Sequence, residues 1–201
     1  PSSVGTYSVY GLCASTLLQI YRYSTTGLTD IDINNVSVQE VGWSDSQNLY
    51  DYIYANTSGT TEQKTYAAVK AAGMWKSPNN DTALAAIYGK EYNGFAAKLL
   101  QIDVAYYNMA NPATPWGWDV ANETDYSTLE TTVNNDANAL ELIGTNYWTS
   151  GQGTNIYGFS ALPAGYVNES GVYGGLNTTA LFITPDTLQP RLGGSIRLIK
   201  R

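Results

Sequence analysis

Residues 156–176 read IYGFSALPAGYVNESGVYGGL. Only Glu169 is charged, and Gly158, Gly165, Gly171, Gly174 and Gly175 alternate with Tyr157, Tyr166 and Tyr173. The run is too apolar for a solvated loop and too rich in glycine for a helix. It reads as a buried strand that ends in a bend. Phe159, Ala161 and Leu162 are expected to face inward. Pro163 and Gly165 make the corner, since proline presets φ and glycine accepts φ values closed to other residues. Tyr166 and Tyr173 are expected at its edge.

The composition around this segment narrows the function. The chain has 201 residues, enough for one sizeable core or one domain with a small module attached. Charged residues make up 13%, about half the usual share, and the net charge is −7. Asn, Thr, Ser, Gly and Tyr take their place, a surface chemistry suited to adhesins, fibres and virions outside the cell. With no cluster of Lys and Arg before the last residues, a nucleic-acid groove has no basis. An anionic membrane surface is disfavoured for the same reason, and no run is long and apolar enough to cross a bilayer. There is no histidine, so Ser-His-Asp and Cys-His catalysis are excluded. The single cysteine, Cys13, leaves no intrachain disulfide and reads as a small core residue. No metal or other cofactor is expected.

Three regions follow from the patterning. Residues 1–43 form a strand-rich module, rich in Tyr, Val, Ile and Thr. Residues 44–81 form a helical connector. In it Asp45 caps SQNLYDYIYA, and Thr60 with Gln63 makes a capping box. Tyr66, Val69, Ala72 and Met74 then share one face. KSPNND (76–81) is a turn-rich break. Residues 82–201 form the main domain, with a helix carrying Phe95, Leu99, Leu100 and Val104 that stops at Pro112. Asn122 and Asp125 cap a helix through Tyr126, Leu129 and Val133. Gly144 closes a short turn. Strands then lead to GGSIRLIKR, with Ile196, Leu198 and Ile199 in a closing strand.

Four stretches in this order resemble one known family. GTNIYGFSALPAGYVNESGVYGGL (153–176) resembles the signature of the Fibrobacter succinogenes major paralogous domain, a G-F-[SN]-A-L-P-A/G-G-Y run followed by G-x-[FY]. YGKEYNGFAA (88–97) resembles its Y-G-x-L-Y-N-W-x-A-A. PWGWDVANETDYSTLE (115–130) resembles P-x-G-W-x-V-P-x-x-x-[DE]-W-x-x-L. GGSIRLIKR (193–201) resembles G-x-S-V-R-L/C-V-R/K-D. The resemblance covers residues about 85–201. It implies an α+β, C-type-lectin-like domain with a small twisted antiparallel sheet and helices, on an exported or surface protein of a bacterium or phage. It also implies that Trp118 sits in the core. ALFITPDTLQPRLGG (180–194) departs from the pattern. It stands where the family has a Trp-containing strand and a hairpin, so one sheet edge is expected to lack its partner. Asp119 likewise stands where the family has His or Arg.

These readings lead to a non-enzymatic, surface-exposed structural or adhesive subunit of an extracellular fibre, pilus or phage appendage. Its expected partners are copies of itself or neighbouring subunits, joined in part by strand addition. The alternative is a carbohydrate- or receptor-binding module at a fibre tip, with Trp116, Tyr166 and Tyr173 touching the ligand. A third reading is a glycoside hydrolase using Asp119 with a second carboxylate from Glu123 or Asp125. Sequons at Asn35, Asn56, Asn80, Asn122, Asn168 and Asn177 suit an extracellular location.

Overall fold

The computed structural model describes residues 41–149, 151, 153–186 and 191–201. The strand-rich module and Cys13 lie outside them, apart from the last residues of the module. Among the described residues the fold is mixed, with five α-helices and two small antiparallel sheets.

The helices come first. A 3-10 turn at Trp43–Asp45 leads into α1, Ser46–Asn56. Asp45 occupies the N-cap position, yet its side chain makes no capping bond. The Ser46 hydroxyl instead donates to the Trp43 carbonyl at 2.8 Å. α2, Thr61–Ala72, opens on the expected capping box, the Thr60 hydroxyl accepting from Gln63 N–H while the Gln63 amide oxygen accepts from Thr60 N–H. The helix ends before Met74, so only Tyr66, Val69 and Ala72 of the expected stripe share its face. Val69 and Ala72 meet Phe95 in a buried cluster, closed by Tyr50, Leu99 and Ile102. The Tyr50 and Phe95 rings stack with centroids 4.8 Å apart.

Phe95 belongs to α4, Gly94–Ala110, the longest of the described helices. Between α2 and α4 lie β1 (Trp75–Lys76), α3 (Thr82–Tyr88) and β2 (Glu91–Asn93). Asn93 stitches this region together. Its Oδ1 accepts from Met74 N–H and from Ala96 N–H, both at 3.0 Å, and its Nδ2 donates to the Ala72 carbonyl at 2.9 Å. One fully buried amide thus ends α2, fixes β1 and caps α4, with no polar atom left over.

After α4 come β3 (Trp118–Val120) and α5 (Glu123–Thr132). Asn122 and Asp125 form the predicted reciprocal cap. The remaining strands are β4 (Tyr166–Val167), β5 (Tyr173–Gly174), β6 (Gly193–Gly194) and β7 (Leu198–Lys200). One sheet has the order β1-β2-β6-β4-β5, and β3 pairs with β7 in a separate ribbon. Trp43, ahead of α1, reaches across to β6. Its ring rests on Gly193, where a Cβ would lie 2.5 Å from it, and its indole N–H donates to the Arg191 carbonyl.

Residues 156–176 are a core-and-corner device, but not the continuous strand expected. Ser160 has φ +56°, which breaks any strand before Ala161. Ala161 makes an isolated parallel bridge to Glu141, and Gly165 another to Ala180. Phe159 and Leu162 are half-buried. The buried Trp148 donates its indole N–H to the Ala161 carbonyl at 3.0 Å and so pins the segment. The corner is as predicted. Gly165 has φ +86°, and a Cβ there would lie 2.4 Å from the Gly174 carbonyl oxygen.

Candidate functional site

The β1–β2 pairing sets Lys76 opposite Glu91. Opposed residues on antiparallel strands project to the same face, so these two would be expected to form an ion pair. They do not. The Lys76 ammonium turns to the Gly171 carbonyl at 3.3 Å and lies over the rings of Trp43 and Tyr173, 5.6 and 5.3 Å from their centroids. Glu91 is left 1% exposed, with no hydrogen-bond partner on either carboxylate oxygen. Burial pushes its pKa up to about 7, against a smaller downward pull from Lys76.

Glu91 borders a half-open cavity of about 160 Å³ together with Asn79, Ala164, Tyr173, Gly175 and Leu176. Tyr173 arrives from β5, and its buried hydroxyl points toward the backbone of Asn80 without a well-formed hydrogen bond. Burial, with the nearby Glu91 charge, raises its pKa. The cavity therefore has a polar wall with unmet hydrogen-bonding capacity and an apolar wall. A buried ionisable group of this kind in a cleft marks a candidate binding site. Sequence reasoning missed Glu91, although a signal was present. YGKEYN carries glutamate where the matching motif Y-G-x-L-Y-N has leucine, a side chain that would need no partner there.

The expected ligand residues are only partly brought together. Tyr173 lines this cavity. Tyr166 sits across the β4–β5 pair with its ring against the backbone of Gly174. Trp116 is elsewhere, in the loop between α4 and β3, where its backbone N–H donates to Asn108 Oδ1 at 2.8 Å. Trp118 is not a core residue. It is 43% exposed, because it opens β3 at the outer end of the ribbon, opposite Lys200, while Val120 at the inner end is buried. Tyr106, Tyr107 and Met109 on the last turns of α4 are also exposed. Together with Trp116 and Trp118 they make one end of the fold rich in exposed aromatic surface.

The carboxylates Asp119 and Asp125 are tied up by Arg201. Its guanidinium bonds both Asp125 oxygens, at 2.9 and 3.0 Å, and reaches Asp119 at 3.5 Å. Partial burial would raise the Asp125 pKa, but the Asn122 N–H and Arg201 hold it below its ordinary value. Glu123 is exposed at the start of α5. Among the described residues no group of three or more acidic or cysteine side chains is placed to hold a metal ion. A larger groove, about 550 Å³, runs beside α5 and is lined by Tyr126, Leu129, Phe159, Arg197 and Ile199. The Arg197 guanidinium donates to the Phe159 carbonyl at 2.9 Å and lies over the Phe159 ring.

The family model described as Fibrobacter succinogenes major domain matches residues 40–199. The chain belongs to this family. The match begins well before residue 85 and takes in α1, α2 and the Glu91 cavity, with three of the four motifs whole and the fourth as far as residue 199. In this Fibrobacter succinogenes major domain, the G-W motif lies on an exposed ribbon end and the A-L-P-A-G-Y motif on a buried corner. No curated protein and no solved structure matches the chain. No helix among the described residues is long and apolar enough to cross a membrane.

Proposed function

We propose that this domain is a non-enzymatic structural or adhesive subunit of an extracellular fibre, pilus or phage appendage, with a C-type-lectin-like fold, and that it assembles through contacts with copies of itself or neighbouring subunits. The observation that carries this reading is the exposed aromatic end around α4 and β3. Tyr107 and Met109 are held out on α4 and Trp118 on β3, and Trp116 sits on the loop between them, tethered by Asn108. Aromatic side chains and methionine are the residues that interfaces favour, and exposed apolar surface marks contact sites. The low content of ionic groups supports an extracellular setting. Among the described residues the sheet edges are β1 and β5, and the exposed Val172 beside β5 gives strand addition a place to start.

Mass photometry and negative-stain electron microscopy of the purified chain test this reading. Filaments or a fixed oligomer are expected. The double substitution Met109→Glu and Trp116→Ala should weaken association by about tenfold or more, since central aromatic anchors dominate interface energy. A monomer at micromolar concentration would defeat the reading.

A second reading is recognition of a carbohydrate or receptor at a fibre tip. It draws on the ring faces of Trp116 and Trp118, which lie in and just after one tethered loop. Glycan-array binding by a small defined oligomer, lost in Trp116→Ala, would favour it over assembly.

A further inference from the structure

The Glu91 cavity does not depend on the assembly reading and calls for its own explanation. A carboxylate with both oxygens buried and unpartnered is costly, and natural proteins retain few such groups without a use for them. The resident cation does not answer it, because Lys76 is engaged by the Gly171 carbonyl and two aromatic rings.

Three kinds of ligand can be compared against the lining. A hard divalent cation wants six or more oxygen ligands, usually with several carboxylates, and Glu91 is the one carboxylate here. A neutral polyol would leave an ionised carboxylate without a counter-charge. A primary ammonium brings both a charge and three donors on one small head. The cavity, about 160 Å³, has room for such a head and a short stem. Its mixed walls suit it too, with Glu91, Asn79 and Tyr173 on one side and Ala164 and Leu176 on the other.

We propose that the cavity beside Glu91 binds a primary alkylammonium group, with Glu91 as counter-ion, Asn79 and the Tyr173 hydroxyl as further acceptors, and Ala164 and Leu176 flanking the first carbons of the stem. The group belongs to a free small amine or to a lysine side chain of a partner; the chemistry at Glu91 is shared.

Isothermal titration calorimetry at pH 8 tests this with n-butylammonium chloride, Nα-acetyl-lysine methylamide, n-butanol and calcium chloride as probes. Saturable binding of butylammonium is expected, with no binding of butanol. Binding of the lysine derivative as well would identify a protein-borne lysine as an accepted source; binding of butylammonium alone would point to a free amine. Glu91→Gln should weaken the affinity by about tenfold or more. Lys76→Met should strengthen it, because the nearest like charge is removed. The wild-type protein supplies a test that needs no variant. The ionisable groups facing Glu91 are Lys76 from β1 and Tyr173 from β5. With Glu91 titrating at about 7, its ionised fraction at pH 5.5 falls to about one-thirtieth, so the apparent affinity should drop by about thirtyfold from pH 8. The proposal is overturned if butylammonium fails to saturate, if its binding is unchanged at pH 5.5 or in Glu91→Gln, or if calcium binds in its place.

Discussion

Glu91 shows how one side chain can set the pH response of a whole domain. Its pKa rises from 4.5 in a free chain to about 7 in the fold. Between those values the folded state keeps a proton that the unfolded chain has released. Stability from this group is therefore greatest in acid and declines as pH rises from about 4.5 to about 7. The full shift corresponds to about 3 kcal/mol at 1.36 kcal/mol per unit. Urea unfolding at pH 5 and pH 8 should show the decline in the wild type, and Glu91→Gln should flatten it. Asp125 works in the opposite direction. Its depressed pKa makes its contribution present above the ordinary carboxylate range and lost as the solution is acidified through its folded value. Arg201→Ala should lower stability slightly at neutral pH, since solvent screens an ion pair at the surface, and should make less difference in strong acid.

At the scale of elements, the chain was most legible where the signal was local. Thr60–Gln63 and Asn122–Asp125 announce helix starts because a cap needs only four consecutive residues, and both form. Asn122→Ala should cost about 1 kcal/mol in chemical denaturation, by leaving the Asp125 N–H without its side-chain acceptor. Asp45 shows the limit of the same signal, for the residue type fits but no capping bond is made. Elements that depend on distant partners were harder to read. Ser160 adopts a left-handed backbone within a run that alternates like a strand, and its partner Asn155 supplies the bonds that hold it there. Trp118 was misplaced because a G-W motif does not say which end of a two-stranded ribbon meets the core. The Glu91 cavity draws on β2, β5 and the turn at Asn79, three segments that no short pattern joins. The A-L-P-A-G-Y corner was readable in advance because proline and glycine carry their geometry with them.

For the molecule as a whole, one contact ties the segment ahead of α1 to the middle strand of the sheet. Trp43, ahead of α1, rests on Gly193 of β6, and its indole bonds Arg191. Gly193→Ala would place a methyl group against that ring and against Val167, 2.5 and 2.9 Å away in the present packing. It should destabilise the protein by about 1–3 kcal/mol. Trp43→Ala should cost about 3–5 kcal/mol, and thermal unfolding would measure both.

The strand order also has a consequence for how the protein comes into being. β6 lies in the middle of the five-stranded sheet, yet it comes after all four of its companions in the chain. During synthesis β1, β2, β4 and β5 emerge before anything exists to bridge them. The two halves must wait, with the Glu91 side chain still in water, until residues 193 and 194 have cleared the ribosome. Native pairing of this sheet is then dominated by links between distant parts of the chain, an arrangement that folds slowly and late. A chain truncated after residue 186 should be as sensitive to protease as an unfolded one, whereas a chain that runs through β7 should resist it.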